Sequence, residues 1–361
     1  MTSEPVSVAR PRADQGSVST SAAKVSFQGY HHVTHLLPVR DGALVVKCRE
    51  PRDRILWFDR RCFQSEEELL GALAKLDVTQ VPEIVAVEGM DFQVFIEGRT
   101  LGSYYRSGRP VPQGIFDQIV QRFRETIEIR PERLSVGRRC GFEDRPEDGD
   151  SAGFLERLIV FTEEQVYREN QERFGELFRA LGVGDESFAR IREHVAGLTD
   201  RPFSLLHADL HRENFIVDPR GGLWTIDWEL AMVGDPLYDL ATHLYLMRYP
   251  RYQAERMAEE WCEAAEHKRP GSSKGWEEDL PRILAYKKAQ SVFTDVIRMA
   301  MALRDGSELT WAPVLRTAGK LRKILGTAAE PLGLTDVPGQ WEIREALDRW
   351  LREPDSGRPG A

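Results

Sequence analysis

Apolar residues follow two different spacings along this chain. In its N-terminal part they occur in short runs rich in Val, Ile, Leu and Phe, which is typical of β-strands. Four of these runs form two pairs, and a turn signal joins the members of each pair: 30–39 with 43–48, and 81–87 with 92–96. The pattern therefore predicts antiparallel strand pairs in this part of the chain.

Helical spacing replaces this pattern after Pro112. Ile115, Ile119, Phe123 and Ile127 recur at four-residue intervals, which predicts an amphipathic helix. The polar stretch 130–152, rich in Pro and Gly, is predicted to be an exposed loop. Further helical segments are predicted at 153–182, 185–198, 237–247, 251–268, 276–304, 309–326 and 340–352.

These elements predict an α+β fold with two lobes. Residues 25–98 would form a small β-rich lobe, and residues 99–353 a larger, mostly helical lobe. Residues 1–24 are rich in Ser, Pro, Ala and Arg without periodicity, so we expect a disordered leader there. Residues 354–361 are expected to form a disordered tail.

The stretch SLLHADLHRENFIVDPRGGLWTIDWE, at 204–229, carries the most informative polar residues. Apolar runs at 215–217 and 223–226 flank the turn sequence DPRGG, which predicts a hairpin. Such a hairpin brings Asn214, before its first strand, close to Asp227, after its second, with Asp209 one loop away. Two carboxylates and an amide in one small volume suit Mg²⁺, which prefers oxygen ligands and completes its shell with water and substrate phosphates.

These motifs resemble those of a known family. HADLHREN, followed by IDWE and GDPLYDL, is similar to the aminoglycoside phosphotransferase and choline kinase-like family, whose loop has the pattern H-x-D-x-x-x-x-N. Protein kinases have H-R-D-L-x-x-x-N and D-F-G at the corresponding places. This chain has Ala208 for that Arg and Trp228-Glu229 for Phe-Gly, so an ordinary protein kinase is disfavoured. The resemblance implies a bilobal protein-kinase-like fold with a nucleotide between an antiparallel β-rich lobe and a helical lobe.

The resemblance also implies roles for the residues of the loop. Asp209 would orient the acceptor hydroxyl and take its proton. Asn214 and Asp227 would hold Mg²⁺ on the phosphates of ATP or GTP. His207 would support the loop by hydrogen bonding, and His211 is interpreted as structural in the same way.

Two further acids follow the loop in a Gly-Asp-Pro turn that leads into a helix. An Asp in this position caps the helix or braces the preceding loop. Asp235 and Asp239 are therefore interpreted as structural residues.

The resemblance implies that the β-rich lobe contributes a cation. Lys47 lies in the strand sequence ALVVKC, and the family has a strand lysine that binds nucleotide phosphates and pairs with a helix glutamate. Glu66 is the preferred partner because it lies on the face of the next helix that would pack inward. Glu67 is the alternative partner, and Glu68 lies at the capping-box position after Ser65.

Two other nucleotide contacts are implied. The segment FQVFIEGRTL, 92–101, resembles the family's hinge between lobes, which makes the Val94 carbonyl and the Ile96 amide candidates for binding adenine. A plain edge strand that ends at Gly98 is the alternative interpretation. The phosphate-covering loop is expected at 27–31, where the sequence FQGYH has one glycine in place of G-x-G-x-x-G.

Composition argues against several classes of partner. The 361 residues include 58 Asp and Glu against 49 Lys and Arg, a net charge of −9, which disfavours nucleic acid and anionic membranes. Without an apolar run of membrane-spanning length or a signal-peptide core, a cytoplasmic location is expected. The four cysteines lack a CxxC pair and are interpreted as free thiols in a reducing compartment.

The acceptor side of the cleft is expected among the helices after residue 240. Several acids there could line it, although a solvated helix face is the favoured interpretation. They are Glu259, Glu260, Glu263, Glu277, Glu278 and Asp279.

Three functions remain open at this stage. The leading hypothesis is a phosphotransferase that uses ATP or GTP with Mg²⁺ and phosphorylates a hydroxylated small molecule, such as an aminoglycoside-type antibiotic. The segments 92–112 and HHV at 31–33 also resemble phosphotransferase-like proteins of thioamitide and lanthipeptide pathways. Those proteins would phosphorylate Ser or Thr of a precursor peptide for a partner lyase. A catalytically silent nucleotide- or peptide-binding module is the third hypothesis, disfavoured because Lys47, Asp209, Asn214 and Asp227 are all present.

Overall fold

The computed structural model describes residues 25–28, 32–39, 44–51, 56–57, 59–306 and 311–353. Several sequence predictions lie outside these ranges. They are the leader 1–24, the tail 354–361, the turn at 40–42 and residues 29–31 of the expected phosphate-covering loop.

A five-stranded antiparallel sheet forms the N-terminal lobe. Its strands are β1 Val25–Gln28, β2 His32–Val39, β3 Leu44–Pro51, β4 Ile84–Val87 and β5 Met90–Val94, in the spatial order β1-β2-β3-β5-β4. Strand β3 pairs with β2 along its whole length and with β5 at Val46 and Lys47. The predicted strand pairs are confirmed, and Lys47 lies on the central strand of the sheet.

Helix α1, Glu66–Lys75, follows strand β3 in the sequence. It contacts both the sheet and the Trp228–Leu230 segment of the larger lobe. The Ser65 hydroxyl accepts the Glu68 backbone N–H at 3.2 Å, which confirms the predicted N-cap. The same hydroxyl donates to the Glu67 carboxylate at 3.0 Å, so Glu67 rather than Glu68 is the side chain that returns to the cap. Leucines on the inward face of α1 are fully buried against Trp228 of the larger lobe.

The rest of the described chain is mostly helical. Its helices are α2 Leu101–Tyr104, α3 Gln113–Glu128, α4 Ser151–Phe161, α5 Gln171–Ala180, α6 Asp185–His194, α7 Pro236–Met247, α8 Arg251–Lys268, α9 Trp276–Arg304, α10 Trp311–Leu332 and α11 Gln340–Arg352. The predicted segment 153–182 is not one helix, because a π-helical turn at Thr162–Tyr167 and a 3₁₀ turn at Arg168–Asn170 separate α4 from α5.

Short strands between the helices carry the polar loop. They are β6 Arg99–Thr100, β7 Ser204–Leu206, β8 Phe215–Val217, β9 Leu223–Thr225 and β10 Met232–Gly234. Strands β8 and β9 pair with Phe215 opposite Thr225 and Val217 opposite Leu223, which confirms the predicted hairpin. Strand β7 pairs with β10, so the segments before and after the hairpin lie side by side.

The main hydrophobic core fills the helical lobe. Fully buried aromatic residues dominate it, among them Phe123 of α3, Tyr238 of α7, Trp261 of α8 and Phe293 of α9. Helices α7 and α9 pack against each other and support the loop that follows β7. Within the described ranges, no helix combines the length and the apolar character that crossing a membrane requires.

Candidate active site

A cavity of about 600 Å³ lies between β3, the loop at 208–214, the segment at 226–229 and helices α7 and α9. Four of the residues predicted from the sequence line it: Lys47, Asp209, Asn214 and Asp227. Glu66, Val94, Ile96 and His207 do not line it. Residues separated by up to 180 positions in the chain therefore meet at one opening.

The loop that carries Asp209 is held by helix α7. Both carboxylate oxygens of Asp239 accept backbone N–H groups, from His207 at 3.1 Å and from Ala208 at 2.7 Å. Ala208 has a left-handed backbone with φ of 63°, a conformation that costs energy for a residue with a Cβ and needs such support. Burial raises the pKa of Asp239 to about 6, while the two N–H donors oppose this rise. The predicted bracing role of Asp239 is confirmed.

His207 connects the loop to the hairpin. Its Nδ1 accepts the Asp209 backbone N–H at 3.3 Å, so the ring proton lies on Nε2, which donates to the Ile226 carbonyl at 3.1 Å. Burial lowers the pKa of His207 to about 4, although the Asp209 carboxylate opposes this effect. A ring that is neutral at physiological pH and bonded at both nitrogens holds loop geometry and has no free nitrogen for proton transfer.

Asp209 is positioned by its neighbours in the loop. The Asn214 amide nitrogen donates to the Asp209 backbone carbonyl at 2.9 Å and to its Oδ2 at 3.0 Å. Burial alone would raise the pKa of Asp209, but His211, His207 and Lys287 lower it below the ordinary value. The group is therefore an ionised carboxylate, the form that accepts a hydrogen bond or a proton from a hydroxyl.

His211 lies in the site itself. Its Nε2 is 3.4 Å from Asp209 Oδ2, and its ring lines the cavity. Burial would lower the pKa of His211, but the Asp209 carboxylate raises it above the ordinary value. The sequence analysis interpreted His211 as purely structural and missed this contact. Its position two residues after Asp209 in a tight loop was the local signal that could have indicated it.

Asp227 has a left-handed backbone with φ of 67° at the start of the 3₁₀ turn Trp228–Leu230. Its side chain is 36% exposed and lines the cavity. The Ile226 N–H donates to the Asn214 carbonyl at 2.9 Å, so the hairpin places Asn214 beside Asp227 as the sequence predicts.

Glu66 pairs with Arg49 in the structure, and the predicted ion pair with Lys47 is not formed. The Arg49 guanidinium donates to the Glu66 carboxylate and lies 3.6 Å from Asp227 Oδ1. Glu66 Oε1 also accepts the Trp228 backbone N–H at 2.8 Å. The buried Glu66 carboxylate therefore links β3 of one lobe to the segment after Asp227 in the other.

Lys47 and Arg49 lie on the same face of β3 because they are two residues apart. Both side chains line the cavity, but Arg49 pairs with Glu66 of α1, whereas Lys47 makes no ion pair within the described ranges. Burial and, to a smaller extent, the Arg49 charge lower the pKa of Lys47 to about 8 against the opposing effects of Glu66 and Asp227. Alternate residues of a strand share a face, so the spacing of Lys47 and Arg49 in the sequence could have identified Arg49 as a second candidate partner of Glu66.

The predicted hinge follows the last strand of the sheet. The Val94 N–H donates to the Glu83 carbonyl at 2.8 Å, and the Phe95 N–H donates to the Val45 carbonyl at 2.9 Å. Among the described residues the Ile96 N–H has no partner, which leaves it able to donate. The adenine-binding roles of Val94 and Ile96 remain predictions, because neither residue lines the cavity.

The site has oxygen donors suited to Mg²⁺. Asn214 spends its amide nitrogen on Asp209, so its Oδ1 is the atom left for a cation, beside the Asp227 carboxylate. Among the described residues no three His, Cys, Asp or Glu side chains group as a metal site. Mg²⁺ on a nucleotide needs fewer protein ligands, because phosphates and waters supply the rest of its shell.

A buried polar network behind the cavity was not found from the sequence. The Tyr238 hydroxyl donates to Asp59 Oδ2 at 2.6 Å, and Lys287 Nζ donates to the same hydroxyl at 2.9 Å and to Gln290 Oε1 at 2.6 Å. Lys287 and Gln290 line the cavity. Asp59, α7 and α9 are far apart in the chain, so no local pattern indicates this contact.

The acids expected on the acceptor side do not line this cavity. Most of them are exposed, which confirms the favoured interpretation as a solvated helix face. Asp279 differs, because it is buried and pairs with Arg201 at 2.8 Å. Asp235 pairs with the same guanidinium and caps α7 by accepting the Leu237 N–H at 2.9 Å, so its predicted structural role is confirmed.

Arg49→Met is expected to destabilise the protein by about 1.5–3 kcal/mol, because it leaves the buried Glu66 carboxylate without its charged partner. Lys47→Met is the matched control on the same strand face. We expect a smaller loss from it, since burial already disfavours the Lys47 charge. Urea unfolding of both variants measures the difference. Equal losses would contradict the assignment of Arg49 as the partner of Glu66.

The model of the APH phosphotransferase enzyme family matches residues 28–278. Comparison with curated proteins gives no match.

Several solved structures resemble the chain. The ethanolamine kinase of Plasmodium vivax aligns with a TM-score of 0.50 at 11% identity, over 89% of this chain and 82% of that one. A choline/ethanolamine kinase family protein from Mesorhizobium loti has a TM-score of 0.46 at 16% identity, over 89% and 91% of the two chains. The macrolide 2′-phosphotransferase of Brachybacterium faecium has a TM-score of 0.46 at 15% identity, over 86% of this chain and 91% of that one. The bilobal protein-kinase-like fold is thereby confirmed, and since the family match covers more than half of its residues, this chain belongs to the APH phosphotransferase enzyme family.

Proposed function

We propose that this phosphotransferase moves the γ-phosphate of ATP or GTP, with Mg²⁺, to a hydroxyl of a small natural product such as an aminoglycoside-type antibiotic. One observation carries the proposal: Lys47, Asp209, Asn214 and Asp227 line the same cavity although three separate segments supply them. Phosphoryl transfer needs mainly positioning and charge neutralisation, which a cation, two carboxylates and an amide provide.

Asp209 would act on the acceptor hydroxyl. Its Oδ2 already accepts the Asn214 amide and faces His211, whereas Oδ1 has no partner within the described part of the chain. Oδ1 is therefore the atom that would accept the hydroxyl proton. Because the pKa of His211 is raised, its ring is cationic at mildly acidic pH. This positive charge beside the carboxylate favours the ionised form of Asp209.

The nucleotide phosphates would lie between Lys47 and the hairpin. Lys47 and Arg49 provide positive charge on the side of β3. Asp227 and Asn214 Oδ1 would hold Mg²⁺, which when bound offsets charge on the phosphates. Nucleotide binding would also favour the protonated form of Lys47, whose pKa is otherwise lowered by burial to about 8.

The acceptor would lie against α7 and α9. This part of the cavity presents hydroxyl groups together with charged side chains, a lining that can hydrogen-bond a polyhydroxylated molecule. The residues are Tyr245, Arg248, Ser291, Thr294, Asp295 and Arg298.

Asp227→Asn tests the proposed metal role. We expect roughly a 100-fold loss of Mg²⁺-dependent phosphate transfer, since a misplaced phosphate costs this much in positioned reactions. The measurement is transfer from γ-labelled ATP and GTP to a panel of aminoglycosides, with Mg²⁺ and with EDTA. Asp200→Asn, an exposed acid outside the cavity, is the control. Normal Mg²⁺-dependent turnover by Asp227→Asn would show that the metal is held elsewhere.

A further inference from the structure

Two of the four cysteines, Cys62 and Cys140, line the same small cavity, although 78 positions separate them in the chain. Phe63 and Arg138 form an isolated antiparallel bridge. Next to it, the Arg139 N–H donates to the Cys62 carbonyl at 2.9 Å, and the Gln64 N–H donates to the Gly137 carbonyl at 2.9 Å. The bridge brings Cys62 and Cys140 to the same small cavity, which both of them line.

The two thiols contact each other in unequal roles. The Cys62 and Cys140 side chains interact, and this interaction shifts the pKa of the two thiols in opposite directions. Both side chains are partly exposed free thiols. Cys62 and Cys140 are therefore neighbouring free thiols that share one small cavity.

Positive charge predominates in the cavity that holds Cys140, although the Asp144 carboxylate also lines it. Five arginines line the cavity that holds the two thiols: Arg60, Arg61, Arg138, Arg145 and Arg157. The side-chain interaction with Cys62 lowers the pKa of Cys140 to about 5, with Arg145 and Arg60 adding to this effect against burial. For Cys62 the same interaction raises the pKa well above its ordinary value, and burial raises it further. A thiolate beside a protonated thiol is the arrangement of a reactive cysteine with a resolving partner.

We propose that Cys62 and Cys140 form a reactive dithiol site that hydrogen peroxide oxidises to an intramolecular disulfide. The Cys140 thiolate attacks one peroxide oxygen, the O–O bond breaks, and the leaving oxygen takes a proton to become water. Cys140 is then a sulfenic acid. The Cys62 sulfur attacks the Cys140 sulfur, the S–O bond breaks, and a second water leaves with the Cys62 proton. Two thiols and one hydrogen peroxide thus give one disulfide and two waters.

A metal site is a weaker interpretation of this pair. Within the described residues no third His, Cys, Asp or Glu completes a metal-binding group with the two cysteines. The phosphotransferase reaction has no use for a thiol, and neither cysteine lines the active-site cavity. The dithiol therefore stands independently of the proposed function.

The position of the dithiol connects it to the active site. Val233, which lines the same cavity as the two cysteines, belongs to β10, and β10 pairs with β7, the strand that leads into the loop of Asp209. Asp59, three residues before Cys62, accepts the hydroxyl of Tyr238 in α7, the helix whose Asp239 holds the same loop. A Cys62–Cys140 disulfide would tie the segment between β3 and α1 covalently to the larger lobe.

The test treats the full chain with hydrogen peroxide, blocks remaining thiols by alkylation and maps peptides by mass spectrometry. We expect one peptide pair joined through Cys62 and Cys140, and its separation by dithiothreitol. Cys62→Ser should stop at the sulfenic acid, which dimedone would label at Cys140. Cys140→Ser should oxidise at least about 10-fold more slowly, because the stabilised thiolate is lost. The Cys48→Ser/Cys262→Ser double variant, the matched control, should behave as wild type.

Two results would overturn the proposal. One is the survival of both Cys62 and Cys140 as alkylatable thiols after peroxide treatment of the wild-type chain. The other is dimedone labelling at Cys48 or Cys262 in preference to Cys140. Since both readouts use the wild-type protein or a variant that retains Cys140, neither depends on whether Cys140→Ser folds.

Discussion

Asp209→Asn is expected to lower the rate of phosphate transfer by about 10²–10⁴-fold, the range that a positioned general base contributes. The substitution keeps the shape of the side chain but removes the carboxylate that accepts the hydroxyl proton. Nucleotide affinity should change little, because Asp209 is proposed to contact the acceptor. Initial rates of transfer and nucleotide titration by fluorescence separate the two effects.

Asp336→Asn serves as the matched control for Asp209→Asn. Asp336 is exposed and lies outside the cavity, so its substitution should leave both the rate and the affinity unchanged. A variant of Asp209 that retained the wild-type rate would remove it from the chemistry. If the Asp209 variant lost nucleotide affinity in proportion to its loss of rate, Asp209 would act on the nucleotide and not on the acceptor.

Arg201→Met is expected to destabilise the fold by about 3–5 kcal/mol, the cost of leaving buried charges without a partner. The Arg201 side chain is 0% exposed and donates to the carboxylates of Asp235 and Asp279 and to the Lys274 carbonyl. Asp235 caps α7, and Asp279 accepts the Thr199 N–H at 2.9 Å, so both carboxylates stay buried without the guanidinium. Thermal and urea unfolding measure the loss.

Arg251→Met tests whether burial causes that loss. Arg251 pairs with Glu255 at 2.7 Å on the surface of α8, with its side chain 92% exposed. Solvent screens such a pair, and its removal should leave the midpoint of unfolding within experimental error of wild type. An Arg201→Met variant as stable as Arg251→Met would show that Asp235 and Asp279 find other partners.

Local patterns in the sequence determined most elements and the central part of the site. Helical spacing predicted α3, α7, α8, α9 and α11 within a few residues, and β-prone runs with turn signals predicted the strand pairs. The hairpin fell between Asn214 and Asp227 as expected, because a short turn joins two strands that have few other ways to pair. Residues that one loop and one hairpin bring together can be predicted from their spacing alone.

Contacts between distant segments were decided only by the tertiary structure. Both Lys47 and Arg49 point to one face of β3, and the packing of α1 against the larger lobe determines that Arg49 pairs with Glu66. The contact of Asp59 with Tyr238 and Lys287, and that of Cys62 with Cys140, likewise join segments with no common local pattern. Periodicity specifies which face of an element is buried, but the partner on that face depends on how whole elements pack, and this is a property of the complete fold.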